Sequence, residues 1–258
     1  MASATAPTIV AQLSDPHVRV GPDDEGSAAA LAAAVASVER LEPRADAVLV
    51  TGDIADGGDP REYERAAELL APLTAPVHVL AGNHDDRGAL RERFAVPTAS
   101  GERYEYTVRC GGVRVVACDT TIPGRDDGCF DPERRDWLRE QLAAEPTTPT
   151  IVAMHHPPLD TGIAALDAIG LPRGDREAFG ALLSRSAHVR RVAAGHVHRG
   201  AFDVLGGCGV VACPSTNLAT RLRIGPEPFE IVREPPAFVV HVLLGERLVS
   251  HAQPITAG

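Results

Sequence analysis

Seven residues of metal-ligating type stand just behind short apolar runs: Asp15, His17, Asp53, Asn83, His155, His196 and His198. Carboxylate, amide oxygen and imidazole together suit borderline divalent ions such as manganese, iron or zinc, rather than calcium or magnesium alone. The histidines of His196-Val197-His198 point the same way off an extended chain, yet can reach two different ions a few ångströms apart. One carboxylate, Asp53, can bridge such a pair. Two ions about 3.5–4 Å apart clamp the attacking and leaving oxygens of an in-line displacement at phosphorus. Asn83 belongs to Gly82-Asn83-His84-Asp85, which by itself reads as a turn; beside the other blocks, its histidine projects toward whatever the metal holds.

Short strands have to carry these residues to one place. Thr8 to Leu13 exits into Ser14-Asp15-Pro16-His17, Asp46 to Val50 exits into Thr51-Gly52-Asp53-Ile54-Ala55-Asp56, and Val77 to Leu80 leads to the Gly82 block. Strand exits are where open α/β sheets place ligand-binding groups. Ser27 is expected to cap a helix to about Leu41, and Asp59-Pro60 starts another whose Tyr63, Ala66, Ala67 and Leu70 share one face. Tyr104 to Val108 and Val113 to Cys118 read as a hairpin turning at Gly111-Gly112, and Asp131-Pro132 opens a helix through Leu142. Thr150 to Met154 then exits into His155-His156-Pro157-Pro158, and Val189 to Ala194 into Gly195-His196-Val197-His198. Between these two strands, Ile163, Leu166, Ile169 and Leu171 either pack internally or wall a substrate cleft, and a helix runs to about Arg185. Four more strands follow (Ala201 to Leu205, Gly209 to Ala212, Ala237 to Leu244, Arg247 to His251), interrupted by a proline-rich stretch, 221–236, that offers an edge or a homodimer contact. Alternating β and α, then mostly β, implies two packed sheets with helices outside. The expectation is a single domain over 1–258, with catalytic blocks in 8–199 and the strands of 200–258 completing the second sheet.

At 258 residues and 44% apolar content the chain can bury one large core. A net charge of -10 argues against a general binder of long nucleic acid or of a membrane surface, which need a basic face. An anion can still bind where metal ions supply the local charge. The basic residues are all arginine, a compositional bias before it is a functional one. Five cysteines without a C-x-x-C pair indicate neither a disulfide framework nor a zinc knuckle, and free thiols suit a reducing cytoplasm. No apolar run is long enough to span a bilayer and Met1 to Thr8 has no signal-peptide pattern, so a cytoplasmic location is expected.

The ordered blocks Asp15-Pro16-His17, Gly52-Asp53-Ile54-Ala55-Asp56, Gly82-Asn83-His84-Asp85, His155-His156-Pro157 and Gly195-His196-Val197-His198 resemble the signature of calcineurin-like metallophosphoesterases, from about Thr8 to Arg199. The resemblance implies an α/β fold, a four-layer αββα sandwich of two mixed β-sheets flanked by helices. It implies one metal on Asp15, His17, Asp53 and His198 and a second on Asp53, Asn83, His155 and His196, with no departure from the pattern at these positions. A hydroxide bridging the ions would attack phosphorus while His84, oriented by a neighbour such as Asp85, protonates the leaving oxygen. Asp56 is expected behind the ligands, His156 either packed behind them or facing the substrate, with the first favoured, and His78, His188, His241 and His251 in structural or surface positions.

The substrate class is a separate question, because one metal core serves many phosphoesters. Ser/Thr protein phosphatases carry an arginine after their Gly-Asp-x-x-Asp block, where this chain has Gly57-Gly58, which fits a monoanionic diester unless Arg61, Arg87 or Arg125 compensates. Gln12-Leu13-Ser14-Asp15, His155-His156-Pro157-Pro158 with Thr161-Gly162-Ile163, and Cys213-Pro214-Ser215-Thr216 resemble bacterial class III cyclic nucleotide phosphodiesterases and their glycerophosphodiesterase relatives. The reading is hydrolysis of a small phosphodiester, a 3',5'-cyclic nucleotide foremost. The alternatives are a monophosphatase or nucleotidase, a glycerophosphodiesterase, and a metal-binding scaffold without activity.

Overall fold

A computed structural model describes residues 6–21, 25–94 and 102–256. The first sheet has the order β13-β12-β1-β2-β3, built from β1 (Thr8–Leu13), β2 (Ala47–Val50), β3 (Val77–Val79), β12 (Ala237–Leu244) and β13 (Arg247–Pro254). Its β1, β2 and β3 run parallel, while β12 and β13 are antiparallel additions. The second sheet has the order β4-β5-β6-β7-β9-β8, from β4 (Tyr106–Cys110), β5 (Val113–Ala117), β6 (Thr150–Ala153), β7 (Val189–Ala194), β8 (Ala201–Leu205) and β9 (Cys208–Ala212). Here β5, β6, β7 and β9 are parallel, with an antiparallel strand at each edge.

Period-two alternation in the second sheet shows how the layers stack. Val113, Val115, Ala117, Ile151, Ala153 and Ala193 share one core with the strands of the first sheet. Their neighbours Val116, Val152, Val192 and Ala194 turn the other way, onto Leu138 and Leu142 of α4 (Pro132–Ala144) and Phe179 and Leu183 of α6 (Arg173–Leu183). On the far side, Leu31 and Val35 of α1 (Glu25–Glu39) and Tyr63 and Ala66 of α2 (Pro60–Leu70) pack on the first sheet, followed by α3 (Arg87–Arg93). Helix, sheet, sheet, helix is the expected sandwich.

Helix starts follow their caps. Asp59 and Glu62 form a reciprocal capping box on α2 behind Pro60, and Asp131 accepts from the Arg134 amide at α4. Ser27 is a correction: α1 begins before it, and its hydroxyl accepts instead from the Arg19 amide at 3.1 Å. A second correction concerns the C-terminal strands, which divide between the sheets. Only β8 and β9 extend the second, while β12 pairs with β1 and β13 with β12. The pairing of β12 places buried His241 beside Gln12, whose Oε1 lies 3.0 Å from His241 Nε2. Between the sheets and the cleft, α5 (Ala164–Asp167) and a short hairpin, β10 (Ala219–Thr220) with β11 (Ile231–Val232), complete the fold.

Candidate metal centre

The parallel strands β1, β2, β6 and β7 all exit at one end, and there the backbone turns into a conformation that L-residues seldom adopt. All five non-glycine residues with positive φ among the described residues lie at these exits: Asp15 (50°), His17 (44°), Asp53 (51°), His196 (70°) and His198 (52°). Asp and His tolerate this region better than most residues, but each still costs of order 1–3 kcal/mol. Crossed hydrogen bonds hold the strain. The His17 amide donates to the Asp53 carbonyl at 3.0 Å, the Asp15 amide to that of Gly52 at 3.2 Å, and the His196 amide to Asp15 Oδ1 at 2.9 Å.

Glycine precedes three of the site residues because no Cβ fits there. A Cβ on Gly52 would lie 2.4 Å from His155 Nδ1, one on Gly82 2.1 Å from Asp53 Oδ1, and one on Gly195 2.2 Å from Ser14 Oγ. The functional side chains fill the space that these glycines leave.

Four imidazoles are each fixed through Nδ1, which leaves Nε2 for the site. His155 Nδ1 donates to the Thr51 carbonyl at 2.8 Å and His198 Nδ1 to that of Leu218 at 3.1 Å. His84 Nδ1 donates to the Asp56 carbonyl at 2.7 Å, and His17 Nδ1 meets Asp56 Oδ1 at 3.2 Å. Such outer bonds set the tautomer and aim the ring.

The remaining atoms converge. Asp15, His17, Asp53 and His198 each bring one donor atom within 4.8 Å of the others. His155 Nε2 lies 2.9 Å from Asn83 Oδ1 and 3.4 Å from Asp53 Oδ2, and His196 Nδ1 lies 3.0 Å from the same Asn83 oxygen. Asp53 therefore touches both groups, with His17 Nε2 3.4 Å from its Oδ2. The Nε2 atoms of His17 and His198 stand 3.0 Å apart. With both Nδ1 atoms bonded outward, these are facing lone pairs that repel unless a proton or a cation lies with them. Asp15 Oδ2 and His196 Nε2 are buried without a hydrogen-bond partner. This donor set fits divalent cations of the mixed oxygen and nitrogen class.

The charge balance agrees. Burial pushes the Asp53 carboxyl up, but His155, His17 and His84 around it hold it well below the usual range. Burial lowers His155, yet Asp53 and Asp15 outweigh this and raise it to about 9. Burial, with His156 and His155 adjacent, keeps His196 well below its ordinary value. The pocket thus favours ionised carboxylates and draws positive charge inward.

All seven residues expected to be ligands meet at this end, with His84 exposed beside them. Asp85 corrects the expectation that it orients His84. Its carboxylate accepts from the amides of Gly82 at 2.8 Å, Ala55 at 3.0 Å and Ile54 at 3.1 Å, tying the β2 and β3 exits together. The group that aligns His84 is the Asp56 carbonyl, which no side-chain pattern announces. Asp56 itself stands behind His17 as expected, paired outward with Arg19 at 2.9 Å; the contact with His17 and then Arg19 hold it down at about 2. His156 is fully buried with Nδ1 2.9 Å from Thr120 Oγ1 and Nε2 3.1 Å from the Asp126 carbonyl, so both nitrogens are used behind His196.

None of the three candidate compensating arginines lines the cleft. Arg61 pairs with Asp59, Arg87 with Asp119 at 2.7 Å, and Arg125 with Asp127. The loop expected as core or cleft wall is both: Ile163 and Leu171 are buried, while Leu166 and Ile169 line a cleft of about 440 Å³ over the site. The stretch 221–236 contributes Phe229, Ile231 and Arg233 to that cleft, a role its prolines concealed.

The family model of the calcineurin-like phosphoesterases matches residues 9–200. A probable glycerophosphodiester phosphodiesterase, GpdQ, of Arcobacter nitrofigilis is 31% identical, covering 96% of this chain and 93% of its own. The 3',5'-cyclic adenosine monophosphate phosphodiesterase CpdA of Pseudomonas aeruginosa is 32% identical, covering 90% of this chain and 84% of its own. Among solved structures, a dimetal phosphatase from Danio rerio superposes with a TM-score of 0.72 at 19% identity, over 96% of each chain.

Proposed function

Since the chain belongs to the calcineurin-like phosphoesterase family, we propose that it hydrolyses small phosphodiesters, 3',5'-cyclic nucleotides foremost, at a centre for two divalent ions. Asp15, His17, Asp53 and His198 would hold one ion, and Asp53, Asn83, His155 and His196 would hold the other. The observation that carries this reading is the position of Asp53, within 3.4 Å of a histidine from each set. When bound, the ions, of the manganese, iron or zinc kind, supply Lewis acidity to the phosphoryl oxygens and to the attacking water.

The chain's own residues do the rest. Thr51 and Leu218 carbonyls hold His155 and His198 with Nε2 inward. His84 places its ring at the cleft with Nδ1–H on the Asp56 carbonyl; as an imidazolium it presents Nε2–H to the leaving oxygen and gives up that proton as the ester bond breaks. Arg61, Arg87 and Arg125 pair away from the cleft, and the guanidinium groups that line it are Arg19, paired with Asp56, and Arg233, so the choice between diester and monoester rests on turnover. Five unpaired cysteines are in keeping with a cytoplasmic location, and exposed Leu222 and Ile224 at the hairpin tip with self-association, which light scattering checks. A glycerophosphodiester is the second reading, favoured by the extent of the match to the Arcobacter relative.

Turnover by metal-stripped protein, with manganese, iron or zinc restored in turn, is the test. The expected result is cleavage of bis(p-nitrophenyl) phosphate and 3',5'-cyclic AMP that exceeds cleavage of p-nitrophenyl phosphate and collapses in Asn83→Ala. Dominant monoester turnover overturns the diester assignment; inertness with metals bound points to a scaffold.

A further inference from the structure

The β10–β11 hairpin has two unlike faces. Its register pairs Thr220 with Ile231 and Ala219 with Val232, so side chains two apart on each strand share a face. One face carries Leu218 and Thr220 opposite Phe229, Ile231 and Arg233, and all five line the cleft. The other carries Arg221 against Glu230 at 2.9 Å, a solvent-side ion pair. The hairpin is braced by the loop before α5, where the Gly225 amide donates to the Gly162 carbonyl at 2.9 Å and the Ala164 amide to that of Gly225 at 3.1 Å. That brace brings the hairpin beside Leu166 and Ile169, which continue the apolar lining.

Phe229 and Ile231 stay 40% and 43% exposed although they border a cleft already lined by apolar side chains. Large apolar groups left open at the edge of a polar centre mark a place where a ligand covers them. In the phosphodiesterase reading the phosphoryl group belongs at the converging donor atoms, so whatever covers the hairpin is an ester substituent. An aromatic ring offers a stacking partner to a flat group, and Asn217 on the same lining offers hydrogen bonds to its edge. A glycerol substituent is too small and too polar to cover Phe229 and Ile231, so it forgoes the apolar burial that a flat ring gains there.

Resting on the phosphodiesterase reading, we propose that this hairpin face is the specificity element, taking a planar heteroaromatic substituent on the diester and disfavouring small polar alcohols. Phe229 is the stacking residue and Ile231 its support.

Steady-state kinetics of the metal-loaded protein test it with 3',5'-cyclic AMP, bis(p-nitrophenyl) phosphate and glycerophosphoethanolamine. Phe229→Ala is expected to lower kcat/KM for the two planar substrates about tenfold, chiefly through KM, and to leave the glycerol diester within about twofold. Phe229→Tyr restores the planar substrates. Equal losses on all three, or no loss on cyclic AMP, overturn the proposal. If wild-type protein cleaves no diester, the phosphodiesterase reading has failed, and calorimetry with adenosine 5'-monophosphate and inorganic phosphate judges the subsite by itself. A preference for the nucleotide that disappears in Phe229→Ala sustains it; an unchanged preference, or none in the wild type, overturns it.

Discussion

His84 and Asp56 are joined by a 2.7 Å contact between an imidazole nitrogen and a main-chain oxygen. The bond orients an exposed ring without engaging the core, so the ring is free to serve chemistry alone. His84→Ala is expected to lower kcat on an alkyl diester about 10²–10³-fold, the range of a lost general acid. The loss on bis(p-nitrophenyl) phosphate should be smaller, since p-nitrophenolate leaves without a proton. The same loss on both substrates would rule out proton donation, and thermal unfolding should be unchanged throughout.

Asp85 should behave in the opposite way. Its carboxylate satisfies amides of Ile54, Ala55 and Gly82, and burial together with neighbouring Asp53 pushes it up to about 6 against their pull. Asp85→Ala strands these donors at the junction of two strand exits, costing about 3 kcal/mol. Calorimetric unfolding should show that loss, with activity falling alike on alkyl and aryl diesters. A variant of wild-type stability would contradict the role assigned to Asp85.

Residue types at strand exits were legible in the sequence because a metal centre needs particular donor atoms and short strands must deliver them. Asp15, Asp53, Asn83 and the histidines could be read that way. What the sequence could not disclose depends on partners distant along the chain. His155 is aimed by a carbonyl 104 residues away, and His84 by a main-chain oxygen that any residue at position 56 would possess. The positive φ of five site residues was equally hidden, since glycine usually marks that region and here Asp and His occupy it. Sheet membership of β12 and β13 failed for a topological reason: alternation indicates a strand but not its neighbour. The hairpin face escaped notice because Pro226 and Pro228 separate Thr220 from Phe229, breaking the local pattern.

Gly82 offers a test of the centre apart from catalysis. A methyl at this position would lie 2.1 Å from Asp53 Oδ1 and 2.3 Å from the Asp53 amide nitrogen, so the carboxylate proposed to serve both ions has to move. Gly82→Ala should therefore lower bound metal from two ions per chain to fewer than one, measured by elemental analysis after equilibration with manganese or zinc. Retention of both ions would show that Asp53 is not shared.

The pH dependence of stability tests the junction under the site. His241 is fully buried between β1 and β13, its Nε2 3.0 Å from Gln12 Oε1 and its Nδ1 2.8 Å from Ser250 Oγ. Burial, aided by the Arg191 charge, depresses it from 6.5 to about 3, so the folded protein keeps it neutral. In the unfolded chain the same imidazole takes up a proton below about 6.5. The unfolded state then binds more protons, and stability falls with acidity from about pH 6.5 down to the folded value. Between pH 7 and pH 5 this one group should remove about 2 kcal/mol. His241→Gln, which cannot take up that proton, should lose correspondingly less over the same interval in denaturant titrations. Parallel pH profiles for the two proteins would place the acid sensitivity elsewhere, with buried His156 the next group to substitute, since burial and the charge of His155 depress it to about 3 as well.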